Sequence, residues 1–205
     1  MNAATERGKA FIRETRNKME QLVLDFADGK LNREQFHVLY DRYQTQINGV
    51  QALLAEEDAS HWSDILDGEH TIDIRSRLMA KAVGMLIYVN ETNILLDQLG
   101  QVTIDPMVVS DLFERLAKNA STSTDEYPHI VIEVGSMGWA LAMQGDLTTI
   151  IVVFSKEPTA QQKSAIVRLL HDFERANALI LQRPNITPDQ LAMPFQVIIR
   201  RAGRF

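Results

Sequence analysis

The spacing of the apolar residues changes once along this chain, near residue 70, and this change constrains the fold more than any other feature. Before it, apolar side chains recur every three or four residues, which is the period of one face of a helix. After it, short β-branched runs bounded by Gly-containing turns are interspersed with helical segments, a pattern typical of strands. The sequence therefore predicts a helical part followed by a mixed part, which together make an α+β protein.

Two helices joined by a short turn account for residues 1–58. The apolar stripe of the first helix, with one polar exception, is formed by Phe11, Thr15, Met19, Leu22 and Phe26. Asp28-Gly29 supplies a helix stop, and Asn32 with Gln35 has the spacing of a capping box for the second helix. That helix carries a heptad seam formed by Phe36, Tyr40, Tyr43, Ile47, Val50 and Leu54.

Because the connection is so short, the two helices are expected to form an antiparallel hairpin with their apolar stripes in contact. Two interpretations of this hairpin, which is of coiled-coil character, stay open. Either it packs only on itself, or it also mediates self-association through seam residues Tyr43, Ile47 and Val50. Residues 59–71 have no sustained period and are predicted to be a linker.

Residues 72–181 contain a second set of elements in the order helix, two strands, helix, three strands, helix. A first helix, with Ile74, Leu78 and Met79 inward, leads into a strand over residues 83–89 and a returning strand over residues 94–99. Asp105-Pro106 opens the next helix, and three strands follow over residues 130–134, 139–143 and 147–154. The last helix begins at Thr159, which has capping-box spacing to Gln162.

This order of elements resembles the roadblock/dynein-light-chain superfamily and its longin-like and profilin-like relatives. The residues that carry the resemblance are the strand Val83 to Tyr88, the hairpin that closes at Gly100, the Asp105-Pro106 helix start, the Gly145-Asp146 turn and the helix after Pro158. The resemblance implies a five-stranded antiparallel sheet flanked by helices and no intrinsic chemistry. It also implies a homodimer of the kind that binds small Ras-like GTPases or belongs to motility and trafficking complexes. The hairpin and a C-terminal extension over residues 182–205, where Pro194 to Ile199 is a candidate extra strand, lie outside it.

Composition and motifs argue against several classes of function. A net charge of −6 has the wrong sign for nucleic-acid binding, and the absence of cysteine excludes thiolate chemistry. No phosphate-binding glycine loop occurs, and the five histidines lack metal-ligand spacing. No apolar run is long enough to span a membrane, and no secretion signal begins the chain. The expectation is a cytoplasmic protein that is not an enzyme and has no cofactor or metal, although a site assembled from His129, Glu133 and Ser136 stays open.

Two groups of residues are candidate contacts. The helix that begins at Asp105 has an apolar arc wider than one sheet face requires, so Val109, Leu112, Phe113 and Leu116 belong either to the core or to a contact with a second subunit. Arg200, Arg201 and Arg204 form a basic cluster that is either a solvated end or a contact for an acidic partner.

Two functions follow as expectations. The first is a non-enzymatic homodimeric scaffold or regulator that acts on a small Ras-like GTPase or in a motility or polarity complex. The alternative is a small-molecule-sensing module of profilin-like fold, with its ligand held near Met85, Tyr88 and Trp139.

Overall fold

The computed structural model describes residues 3–56, 71–124 and 127–199, which form two compact units. The first unit ends at Met79 and the second begins at Ala80. The expected linker, residues 59–71, lies outside the described residues except for its last residue. The architecture is the α+β arrangement that the sequence predicts, with N-terminal helices, a five-stranded antiparallel sheet and a C-terminal helix.

The first unit contains α1 (Ala3–Ala27), α2 (Arg33–Glu56) and α3 (Thr71–Leu78). Gly29, at a φ of 69°, ends α1 with the two backbone hydrogen bonds of a Schellman motif, from Lys30 N to Asp25 O and from Gly29 N to Phe26 O, both 2.9 Å. The capping box predicted for α2 is confirmed, because Gln35 N donates to Asn32 Oδ1 and Asn32 N donates to Gln35 Oε1. These contacts fix the turn between the two long helices.

Helix α3 belongs to this helical unit, whereas the sequence placed it with the sheet. Its residues Ile74 and Leu78 are buried in one cluster with Leu22, Leu31, Leu39 and Tyr43 of the hairpin. The side-chain amides of the capping pair also reach the end of α3, with Asn32 Nδ2 donating to Leu78 O at 3.1 Å and Gln35 Nε2 to Arg75 O at 2.9 Å. Met79, which was expected to point inward, is 48% exposed.

The apolar seam of α2 differs at one position from the predicted heptad, because Leu39 takes the place expected for Tyr40. Leu39 is fully buried and Tyr40 is 40% exposed, whereas Tyr43 is buried as expected. Tyr40 instead stacks on the outer side of the hairpin, with its ring centroid 5.5 Å from that of Phe36, which lies 4.7 Å from Phe26.

The second unit is a five-stranded antiparallel sheet with the strand order β2-β1-β5-β4-β3. The strands are β1 (Ala82–Val89), β2 (Leu95–Gly100), β3 (His129–Glu133), β4 (Trp139–Gln144) and β5 (Thr148–Phe154). Two helices accompany it, α4 (Pro106–Ala120) and α5 (Ala160–Leu181). The predicted caps of both helices are present, since Asp105 Oδ1 accepts from Met107 N and Thr159 forms a capping box with Gln162.

Each face of the sheet is covered by one helix. Alternate strand residues such as Leu86, Ala140 and Ile151 pack with Leu112 and Leu116 of α4. Their neighbours in sequence pack on the opposite side, around α5, and include Met85, Ile87, Leu141, Ile150 and Val152. All residues of the central strand β5 are buried, because both of its faces are covered.

The C-terminal segment is part of the α5 face of the core, and the candidate strand at residues 194–199 is wrong. Residues Pro194–Val197 form a 3₁₀ turn, and Phe195 is fully buried with its ring 5.2 Å from that of Phe173. Asn177 Nδ2 donates to Ala192 O and Asn177 Oδ1 accepts from Ala192 N, both at 2.8 Å. The sheet domain therefore extends well beyond residue 181, the boundary expected from the sequence.

Candidate functional site

A pocket of about 360 Å³ lies on the α4 side of the sheet, beside the edge strand β2. Its wall consists of Leu86 and Tyr88 of β1, Leu95 and Gln98 of β2, residues 102–104 of the connection, and Pro106, Val109 and Ser110 at the start of α4. None of these side chains is charged. The pocket therefore offers a small, neutral and mainly apolar surface.

Among the polar side chains that line this pocket, Tyr88 has a hydroxyl that is available to a ligand. Its side chain is only 9% exposed and lines the pocket, and its ring makes an edge contact with Phe113, with the centroids 5.1 Å apart. The Tyr88 hydroxyl has no hydrogen-bond partner within residues 3–56, 71–124 and 127–199. Burial raises the pKa of this hydroxyl above its ordinary value, so at neutral pH it is protonated and able to donate.

The expected ligand site near Met85, Tyr88 and Trp139 is corrected by this geometry. Met85 is fully buried in the α5-side core, and Trp139 packs against the same cluster. The α4 side holds Tyr88, so only Tyr88 of the three lines the pocket.

The second feature of interest is the free edge of β3. This strand pairs with β4 alone and runs His-Ile-Val-Ile-Glu, with four of its five residues half-buried. At the two ends of the β3–β4 ladder, Gln144 N donates to Pro128 O and Val134 N donates to Gly138 O, so these pairs are hydrogen-bonded across the ladder. The alternation of an antiparallel ladder then directs the N–H and C=O groups of His129, Val131 and Glu133 to the free edge.

The opposite edge strand, β2, is protected in ways that β3 is not. Its register shifts between Ile87 and Tyr88 of its partner β1, which marks a bulge, and Asp97 places a charge within the strand. A bulge and a charged residue in an edge strand both disfavour pairing with a strand of another molecule. The β3–β4 register is continuous, and the interior of β3 contains only Ile130, Val131 and Ile132. Of the two edges, β3 is the one suited to pairing.

The candidate self-association residues of α4 are turned inward. Leu112 and Leu116 are buried in the core, and Val109 and Phe113 are half-buried against it. The wide apolar arc is explained by the chain's own packing: Phe113 contacts Tyr88, and Val109 lines the pocket. A second subunit could reach Leu112 and Leu116 only if they left this core.

The candidate residues of the hairpin are also covered by their own chain. Tyr43, Ile47 and Val50 are all buried. Arg200, Arg201 and Arg204, the candidate contacts for an acidic partner, lie outside the described residues.

The candidate catalytic groups are not brought together. His129 and Glu133 lie at opposite ends of β3, about 13 Å apart at the usual rise of a strand, and Ser136 lies in the 3₁₀ turn Gly135–Met137. His129 Nδ1 is 3.2 Å from Tyr127 O. Among the residues that the structure describes, no group of three His, Asp or Glu side chains could hold a metal ion.

On the surface of α4, Asp111 pairs with Arg115 at 2.8 Å and Glu114 with Lys118 at 2.6 Å, so the acidic residues of this helix face basic side chains. Within residues 3–56, 71–124 and 127–199, no helix is long and apolar enough to cross a membrane.

The buried carboxylate of Glu174 is a feature that the sequence analysis did not predict. This side chain is 5% exposed and accepts hydrogen bonds at the turn between β4 and β5 from Asp146 N, Leu147 N, Thr148 N and Thr148 Oγ1, at 2.7 to 3.0 Å. All four donors belong to one turn, and no metal-binding or catalytic partner is among them. The carboxylate therefore serves as a clamp that holds the turn against α5.

Comparison with known proteins finds no matching family model, no similar curated protein and no matching solved structure.

Proposed function

We propose that this chain is a non-enzymatic protein that self-associates through the free edge of β3 and serves as a scaffold or regulator of another protein. The observation that carries the proposal is the open edge, which has a continuous register and no charge in its interior. The backbone groups of three alternate residues are directed outward, and of these His129 O accepts from Asn119 Nδ2. The roadblock-like order of elements, with helices on both faces of the sheet, agrees with it.

The geometry of the edge favours a second copy of the same chain. An antiparallel pair related by a two-fold axis at Val131 places Val131 opposite itself and His129 opposite Glu133 of the partner subunit. The three outward-facing residues then meet as hydrogen-bonded pairs, which supply four backbone hydrogen bonds besides the two whose acceptor, His129 O, already accepts from Asn119 Nδ2. A His opposite a Glu is also a favourable cross-strand pair when the imidazole is charged.

Val131→Pro tests this interface while it leaves the hydrogen bonds between β3 and β4 in place. The Val131 amide points to the free edge, so its loss removes a bond to the partner but none to β4, and proline is tolerated at such an edge position. Sedimentation at micromolar concentration should show a species of about twice 23.2 kDa for the unmodified chain and a folded monomer for Val131→Pro.

Ile132→Pro is the matched control. The Ile132 amide belongs to the β3–β4 ladder, so this variant should lose stability rather than only its partner. A monomeric unmodified chain, or a Val131→Pro variant that stays dimeric, would refute association through this edge.

The partner class that the roadblock resemblance implies is a small Ras-like GTPase. Pull-down of Ras-like GTPases loaded with GDP or with a non-hydrolysable GTP analogue would test it, with Val131→Pro showing whether binding needs the dimer. Failure of every GTPase to bind would remove this partner class and leave the self-association intact.

A further inference from the structure

The pocket beside β2 constrains the charge of any molecule that binds there. Its walls come from β1, β2, residues 102–104 and the first turns of α4, and none of the lining side chains carries a charge. An ion that left water for this pocket would lose its hydration without gaining a counter-ion, which is strongly unfavourable. The pocket volume of about 360 Å³ lies at the small end of the range usual for small-molecule sites.

The Tyr88 hydroxyl indicates which polar group the bound molecule carries. The Tyr88 side chain is nine-tenths buried and lines the pocket, and its hydroxyl has no hydrogen-bond partner in the described part of the chain, so it is free to donate to a bound molecule. A phenolic O–H lining a mainly apolar cavity is best satisfied by an acceptor such as a carbonyl or ether oxygen.

The Gln98 side chain, which forms part of the pocket wall, is held in place by the chain's own hydrogen bonds. Gln98 Nε2 donates to Val102 O at 2.8 Å, and the Gln98 backbone N–H donates to Asp97 Oδ1 at 2.8 Å. The side chain that forms one wall is therefore oriented before any ligand arrives, which lowers the entropic cost of binding.

One exposed apolar side chain, Leu95, lines the pocket, and two exposed apolar residues adjoin lining residues in the sequence. Leu95 lines the pocket and is 45% exposed, and its neighbour Ile94 is 64% exposed. Met107, which follows the lining residue Pro106, is 80% exposed.

We propose that this pocket binds an uncharged, largely apolar small molecule whose carbonyl or ether oxygen accepts a hydrogen bond from the Tyr88 hydroxyl. The site uses β1, β2 and the start of α4, and it does not depend on the self-association proposed for β3.

Three probes of similar size test the charge and the acceptor separately. Acetophenone is neutral and carries a carbonyl, ethylbenzene replaces that carbonyl by a methylene group, and benzoate is charged. Titrations followed by ¹H-¹⁵N NMR should show acetophenone shifting the amides of Gln98, Thr103 and Ser110 with a Kd on the order of 1 mM, as suits a probe of this size. Ethylbenzene should bind more weakly and benzoate should not bind.

Tyr88→Phe removes only the hydroxyl, and Tyr40→Phe, an exposed tyrosine of the helical unit, is its matched control. Loss of one hydrogen bond should weaken acetophenone binding about three- to tenfold in Tyr88→Phe and leave ethylbenzene binding unchanged. Ser110→Phe, on the exposed surface of α4 at the pocket wall, should obstruct both probes without unfolding the protein. Equal affinity of acetophenone for the unmodified chain and Tyr88→Phe, shifts located away from the pocket, or no binding at all would overturn the proposal.

Discussion

The carboxylate of Glu174 holds the turn between β4 and β5 against α5, and its removal should be costly. Two of its four donors, the N–H and the hydroxyl of Thr148, belong to a fully buried residue, whereas Asp146 is exposed. In Glu174→Ala the two Thr148 donors lose their acceptor inside the protein, at about 1–3 kcal/mol each, and the amides nearer solvent are largely rehydrated. The expected loss is therefore about 4 kcal/mol of unfolding free energy, a large part of the 5–15 kcal/mol typical of a domain.

Urea denaturation followed by tryptophan fluorescence would measure this loss. The chain has two tryptophans, so a Trp62→Phe background leaves Trp139 of β4 as the reporter of the sheet. Glu174→Gln keeps the shape and one acceptor oxygen, so it should lose about 1–2 kcal/mol. Glu114→Ala, which breaks only an exposed pair with Lys118, should lose at most about 0.5 kcal/mol. If Glu174→Ala were no more destabilising than Glu114→Ala, the clamp would contribute nothing to stability.

Two further substitutions test the C-terminal segment and the helical unit. Asn177→Leu removes both hydrogen bonds to Ala192, so limited proteolysis between residues 182 and 193 should become faster; an unchanged cleavage rate would mean that apolar packing alone holds the segment. The hydrogen bond from Gln21 is the main cause that lowers the pKa of the Asp25 carboxyl below its ordinary value. The stability that this carboxylate contributes is therefore complete at neutral pH and is lost as pH falls through the lowered pKa of the folded state. Asp25→Asn should remove that part of the pH dependence, measured as urea midpoints at about pH 7 and about pH 3, and an unchanged pH profile would contradict the assignment.

The caps of the helices could be predicted from the sequence because their chemistry is local. Asp105, Asn32 with Gln35, and Thr159 with Gln162 each satisfy the free amides at the start of a helix within three residues. The strands of the sheet were likewise recognisable from short β-branched runs between turns.

Elements that depend on distant contacts were not predictable in the same way. The spacing of Ile74 and Leu78 shows that α3 has an apolar face, but spacing alone does not say which unit covers that face. Pro194 and the apolar residues after it suggest an edge strand, yet burial of Phe195 against Phe173 favours a compact turn. Glu174 looks like an ordinary helix-surface residue, because its partners lie 26 to 28 residues earlier in the chain.

The position of the pocket could be predicted in part from the sequence. Met85 and Tyr88 are three residues apart on one strand, so their side chains must point to opposite faces of the sheet and cannot share a site. That argument excludes Met85 from any ligand site that contains Tyr88. It does not say that the Tyr88 hydroxyl lacks a partner, because that depends on how α4 and residues 102–104 pack over it.

The pocket and the free edge of β3 can be tested independently because they lie at opposite edges of the sheet. In the order β2-β1-β5-β4-β3, four strand spacings of about 4.8 Å separate the two edge strands, or about 19 Å. Helix α4 contacts both regions: its first turn lines the pocket, and Asn119 Nδ2, near its other end, donates to His129 O of β3 at 2.7 Å. If the helix is a passive support, Tyr88→Phe should leave the dimer unchanged and Val131→Pro should leave acetophenone binding unchanged. If either substitution alters the other property, α4 couples the two sites, and by linkage a pocket ligand and the partner subunit must then change each other's affinity by the same factor.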